Sequence, residues 1–155
     1  MTERSGVDAI AIARTVAETM YRKDIASQSA GITLKEIGPG HAVMSLRITD
    51  MMLNTHGICH GGYIFMLADS AFAYACNSYN QNTVAAAGQI NFLKAVQPDD
   101  LLTATAKEIS KTRRTGLYDV TVTNQHGEMV ACLRGNSHTI KGQILPGLGT
   151  SDAGD

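Results

Sequence analysis

The sequence predicts an α+β fold in which a curved antiparallel sheet wraps around one long central helix. Three observations predict it. Residues 61–77 (GGYIFMLADSAFAYACN) are apolar on nearly every side, so a helix there must be covered on most of its surface. The segments on either side alternate apolar and polar residues, the period of a half-buried strand. Short turn signatures separate those segments, which makes neighbouring strands antiparallel.

Residues 7–23 read as a helix. Ile10, Ala13, Ala17 and Met20 share one side, while Arg14, Glu18 and Arg22 line another at fourfold spacing. Residues 32–37 and 41–49 form a hairpin about Gly38-Pro39-Gly40. In its second strand Ala42, Met44, Leu46 and Ile48 face one way. The apolar helix 61–77 comes next, then a polar loop at 77–82. Four further strands are expected over 84–96, 101–110, 117–124 and 129–141, with a hairpin loop at NQHGE that needs Gly127 in the left-handed region. Residues 146–155 are rich in Gly, Ser and Asp and are expected to form a flexible tail after a single domain over 1–145. Residues 1–30 are read as a helical extension of that domain.

Composition removes several function classes. The chain has 155 residues and a net charge of −1, with no Trp, which disfavours a nucleic-acid surface or a base-stacking platform. The longest apolar run, from Tyr63 to Cys76, is interrupted by Asp69 and Ser70 and is too short to span a bilayer. Three cysteines, Cys59, Cys76 and Cys132, lack metal or redox spacing, and His41, His126 and His138 lack metal spacing. The expectation is a cytoplasmic protein with no metal and no signal peptide.

Asp69 is the only charged residue from Gly61 to Ser78. A carboxylate on an apolar helix is costly to bury, so it must be hidden by partners or used. Gly61 and Gly62, two turns upstream, put bare backbone N–H groups at the helix start, where an anion or a polarised carbonyl oxygen is stabilised. A structural carboxylate and a tight packing turn are the plain alternatives, and the coincidence of acid and glycines favours catalysis. His60 is read either as a helix-start residue or as a direct participant. Asn54 is read either as a loop cap or as a group positioning water or the thioester. Cys59 and Cys76 lack a base and read as small core residues.

The run NxxxxxHGGxxxxLAD, followed by SAFAYACNS, resembles the hotdog-fold acyl-CoA thioesterases, and within them the phenylacetate-degradation family PaaI. Gln89 to Leu93, Arg114 to Asp119 and Arg134 to His138 extend the similarity, which covers roughly residues 31–141. The resemblance implies hydrolysis of aromatic acyl-CoA thioesters such as (hydroxy)phenylacetyl-CoA, with CoA as part of the substrate and no cofactor. It implies Asp69 as the catalytic carboxylate, Gly61 as the carbonyl-polarising N–H, and Asn54 and His60 beside them. It also implies a homodimer with sites at its interface, assembling to a tetramer. Some relatives carry a water-orienting hydroxyl after the helix; here Ala85 to Gly88 contains none. Gly62, Lys111, Arg113, Arg114, Lys94 and Arg134 are the candidates for holding CoA, the basic residues through its phosphates. Met66, Phe72 and Tyr74 are candidates for the acyl pocket. The alternatives are a hotdog enoyl-CoA hydratase and a non-catalytic acyl-CoA sensor. The spacing of HGG to Asp69 favours the thioesterase over the first, and the presence of Asp69 favours it over the second.

Overall fold

The computed structural model describes residues 2–151. Six antiparallel strands form one sheet in the order β1-β2-β4-β5-β6-β3. They are β1 (Thr33–Gly38), β2 (His41–Arg47), β3 (Thr83–Phe92), β4 (Leu101–Lys111), β5 (Thr115–Thr123) and β6 (Met129–Thr139). The helices are α1 (Thr2–Lys23), α2 (Ile25–Ala30) and the central α3 (Gly61–Asn77).

The sheet curls around α3 because its inner rows pair small and branched residues. Ala42, Met44 and Leu46 of β2, Leu102, Ala104 and Ala106 of β4, and Val120 and Val122 of β5 are all buried. From α3 they meet Ile64, Leu67, Ala68, Ala71, Phe72 and Ala75, also buried. Alanines on both sides let helix and sheet approach closely, and burial of the larger side chains supplies most of the stabilisation, about 25 cal/mol per Å² of apolar surface. Gly135 is a close-packing site: a Cβ there would lie 2.9 Å from the Phe72 ring, whose centroid is 5.4 Å from that of Tyr118 with the two planes tilted at 57°.

The ends of α3 are fixed by side chains. At its start His60 Nδ1 accepts the Gly62 N–H at 2.9 Å. At its finish Asn77 Nδ2 donates to the Ala73 and Thr83 carbonyls, and its Oδ1 accepts the Thr83 N–H. The chain is thereby turned directly into β3.

Several boundaries differ from expectation. The strand expected over 84–96 ends at Phe92, because Leu93 and Lys94 both donate to the Val130 carbonyl. Val96 instead accepts from the Cys59 N–H, tying residues 93–96 to the loop before α3. The short helix α2 was not expected. Asp24 caps it by accepting the Ser27 N–H, and the same carboxylate accepts the Tyr74 hydroxyl of α3 at 3.1 Å. Ile10, placed on the covered face of α1, is exposed; Ala13, Val16 and Ala17 form that face. The tail expected from residue 146 is anchored at its base. Asn80, buried and in the left-handed region, donates to the Leu145 and Gly149 carbonyls and accepts the Leu145 N–H. Residues 152–155 of that tail lie outside the described residues.

Candidate active site

The start of α3 is built by a loop that folds on its own backbone. Asn54 Oδ1 accepts the His56 N–H at 2.9 Å and lies 3.4 Å from the Ile58 N–H. The Asn54 N–H donates to the Ile58 carbonyl, and the His60 N–H to Met52. These bonds hold the first turn of α3 beside residues 93–96. Asn54 therefore acts as a loop cap through its oxygen, and the residue also lines the adjoining cavity. His60 caps the helix through Nδ1, which leaves Nε2 as the proton-bearing nitrogen of its neutral form.

Gly61 is the first residue of α3. As an N-terminal helical residue its N–H has no intrahelical acceptor, and the helix dipole adds positive potential there. Two open cavities meet at this residue. One, about 390 Å³, is lined by Asn54, Ile58, Cys59, Ile64, Phe92 and Val96 along with Gly61. The other, about 550 Å³, is lined by Gly61, Gly62, Phe65, Met66, Asp69 and Phe92. Asp69 is exposed toward the second cavity. Its apolar neighbours still strip enough water from the carboxyl to raise its pKa above the ordinary aspartate value. A carboxylate so placed is a better base than a fully hydrated one.

Gly61 and Asp69 are eight residues apart on one helix, about 12 Å along its axis. That is farther than a single thioester carbonyl bridges by direct contact on both sides. Within one subunit, then, Asn54 and Gly61 share one cavity, and Gly61, Gly62 and Asp69 share the other.

The acyl-pocket candidates divide. Met66 lines the Asp69 cavity. Phe72 and Tyr74 do not: they are 1% and 2% exposed and belong to the core, Phe72 under Gly135 and Tyr74 against Asp24. Phe65 and Phe92 take their place. Phe65 was legible, since it stands one helical turn before Asp69 on the same face. Phe92 carried no comparable signal, because an aromatic residue in a strand reads as core.

The basic candidates divide as well. Lys94 pairs with Glu128. Arg134 makes two bonds to Asp119, at 2.7 and 2.8 Å, which hold the Asp119 carboxyl below its ordinary pKa. Lys111 lies 4.9 Å over the Tyr79 ring. Arg113 and Arg114, in the turn between β4 and β5, line a cavity of about 500 Å³ with Gln81, His138 and Lys141. It lies toward the end of α3 opposite Gly61, where β3 begins.

The cysteines are unsuited to nucleophilic attack. Burial pushes the Cys59 thiol up to about 11, with the nearby Asp100 adding to it, and burial pushes Cys76 up to about 12. No group of three or more metal-ligating side chains occurs among the described residues, and no helix is long and apolar enough to cross a membrane.

Residues 56–131 match the model of the thioesterase superfamily. The acyl-coenzyme A thioesterase PaaI of Escherichia coli is 44% identical over 83% of this chain and 91% of its own. The solved E. coli PaaI protein, from the phenylacetic acid degradation operon, superposes with a TM-score of 0.84 at 43% identity, covering 85% of this chain and 96% of that one. A hypothetical thioesterase of Streptococcus pneumoniae, solved with coenzyme A, has a TM-score of 0.69 at 31% identity, covering 72% and 87%.

Proposed function

We propose that this chain, an acyl-CoA thioesterase of the PaaI family within the thioesterase superfamily, hydrolyses aromatic acyl-CoA thioesters, (hydroxy)phenylacetyl-CoA among them, in phenylacetate degradation. The observation that carries this reading is the open cavity where Asp69 and Gly61 meet Phe65, Met66 and Phe92. Two aromatic rings and a thioether offer the faces and edges against which a phenyl group packs. The E. coli relative from a phenylacetic acid operon supports the same choice.

In the proposed reaction the Gly61 N–H and the dipole of α3 take up charge on the thioester oxygen. Asp69 removes a proton from water as the water oxygen bonds to the carbonyl carbon. The C–S bond then breaks, CoA leaves as thiolate and takes a proton, and the acid is released. Direct attack by Asp69 would instead give a mixed anhydride that water opens, and the same residues serve both routes. Neither route calls for a metal or a cofactor. Three free cysteines fit a reducing, cytoplasmic setting.

The two-turn gap between Gly61 and Asp69 is met if Gly61 of one copy faces Asp69 of a second. Strand β3 supports such pairing. It is an edge strand with no charged residue, and Val84, Phe92 and neighbouring Leu93 are 46%, 54% and 56% exposed. A bare apolar edge of this kind is ordinarily covered. The proposal is a homodimer joined along β3, with dimers pairing into a tetramer.

The deciding experiment is release of free thiol from a panel of acyl-CoAs, with hydration of crotonyl-CoA followed in parallel. The expected result is the highest kcat/KM for phenylacetyl-type substrates and no hydration. A preference for straight-chain acyl groups would overturn the aromatic assignment. Hydration without thiol release would move the chain to the hydratases.

A further inference from the structure

The N–H groups on either side of Gly61 are all engaged. His60 donates to the Met52 carbonyl at 2.8 Å, Gly62 to His60 Nδ1 at 2.9 Å, and Cys59 to the Val96 carbonyl at 2.8 Å. These three bonds fix the direction of the Gly61 N–H. Met52 and His60 belong to the run-in to α3 itself. Val96 does not: it sits in the connection 93–100 between β3 and β4 and is 1% exposed. The aim of the Gly61 N–H therefore depends on how that connection is held.

Asp100 holds it. The turn at 97–100 closes through the Asp100 N–H to the Gln97 carbonyl at 3.2 Å, and the Asp100 carboxylate reaches back to accept the Gln97 N–H at 2.8 Å. Its other oxygen accepts from Gln125 Nε2 at 2.8 Å, in the loop between β5 and β6. That loop also grips the opposite end of the connection, where Glu128 pairs with Lys94. Asp100 is 8% exposed, and a carboxylate is costly to bury. An apolar or amide side chain would avoid that cost but could not accept two N–H groups on separate oxygens. Its charge also helps to push up the Cys59 thiol, so the carboxylate lies near the run-in to α3. We infer that Asp100 is a positioning residue for the proposed reaction: it sets the Val96 carbonyl, through it Cys59, and so the aim of the Gly61 N–H at the thioester oxygen. This rests on the reading that Gly61 is the oxyanion donor.

The test follows hydrolysis of phenylacetyl-CoA by the wild type, Asp100→Ala and Asp100→Asn, each below its own melting temperature. A misdirected donor is lost to the transition state more than to the bound substrate. In Asp100→Ala kcat should fall by about tenfold or more with KM within about twofold, and in Asp100→Asn, which keeps one acceptor oxygen, kcat should fall by less. A merely structural residue would lower the melting temperature and leave kcat of the folded enzyme unmoved. The second readout is the infrared band of the thioester carbonyl, isotope-labelled and bound to Asp69→Asn, in which hydrolysis is slow. The Gly61 N–H should move that band to lower frequency than in water, and adding Asp100→Ala should reverse part of the shift. An unchanged kcat, or a band that stays where Asp69→Asn alone puts it, overturns the role of Asp100. Asp100→Asn, close to aspartate in shape, decides the matter by the same two readouts should Asp100→Ala not fold. If Asp69→Asn alone shows no shift, the placement of the oxyanion at Gly61 is what fails, whatever residue 100 does to kcat.

Discussion

Asp69 is held at a cost, and that gives it two separable signatures. Loss of hydration makes its carboxyl harder to ionise in the folded protein than in the unfolded chain. The folded state therefore binds this proton more tightly. The ionised form lowers stability above the folded pKa, and the penalty fades as pH falls through that pKa and is gone below the unfolded value. Asp69→Asn should accordingly melt no lower than the wild type at pH 7, with any advantage disappearing in acid. The same change should reduce hydrolysis by roughly a hundredfold or more, the scale of a positioned base. In the wild type the acidic limb of kcat/KM against pH should lie above the ordinary aspartate range. A lower melting temperature for Asp69→Asn at pH 7 would mean that the charge stabilises the fold, and near-normal turnover would remove it from the chemistry.

Among the elements, the turn between β4 and β5 has a prediction of its own. Arg113 and Arg114 line a basic cavity with His138 and Lys141, whereas Arg134 is already engaged by Asp119. If the cavity receives CoA phosphates, Arg113→Ala or Arg114→Ala should raise KM by about three- to tenfold with little change in kcat, and the effect should shrink with added salt. Arg134→Ala should leave KM close to its starting value. Equal KM for all three variants would return the turn to an ordinary solvated one. The elements themselves were largely legible. The alternation of Ala42, Met44, Leu46 and Ile48, the glycine of NQHGE at φ 76°, and the limits of α3 all followed from local pattern. What escaped depended on partners distant in sequence. β3 stops where Val130 draws off two successive N–H groups, α2 exists because Asp24 serves both its cap and Tyr74, and Asn80 holds a tail whose composition reads as loose. In the site, a lone acid beside glycines is a signal in one dimension. That Phe92 rather than Phe72 faces the cavity is decided only by how β3 lies against the start of α3.

At the scale of the whole molecule, the exposed, uncharged edge of β3 predicts association. Light scattering should show no active monomer at assay concentration, and an active monomer would defeat the shared-site arrangement. The two-turn spacing on α3 carries a genetic consequence. If each reaction centre takes its oxyanion donor from one chain and its acid from the other, a lesion at either position is a lesion of half a centre. Gly61→Val, whose side chain would meet the Phe92 ring, and Asp69→Asn should each be inactive when expressed alone. Co-expressed, they should complement. Each mixed pair carries one centre with both defects and one with neither, so random assortment should restore about a quarter of wild-type turnover. Two inactive alleles that remain inactive together, in a preparation shown to contain mixed pairs, would mean that every chain works alone.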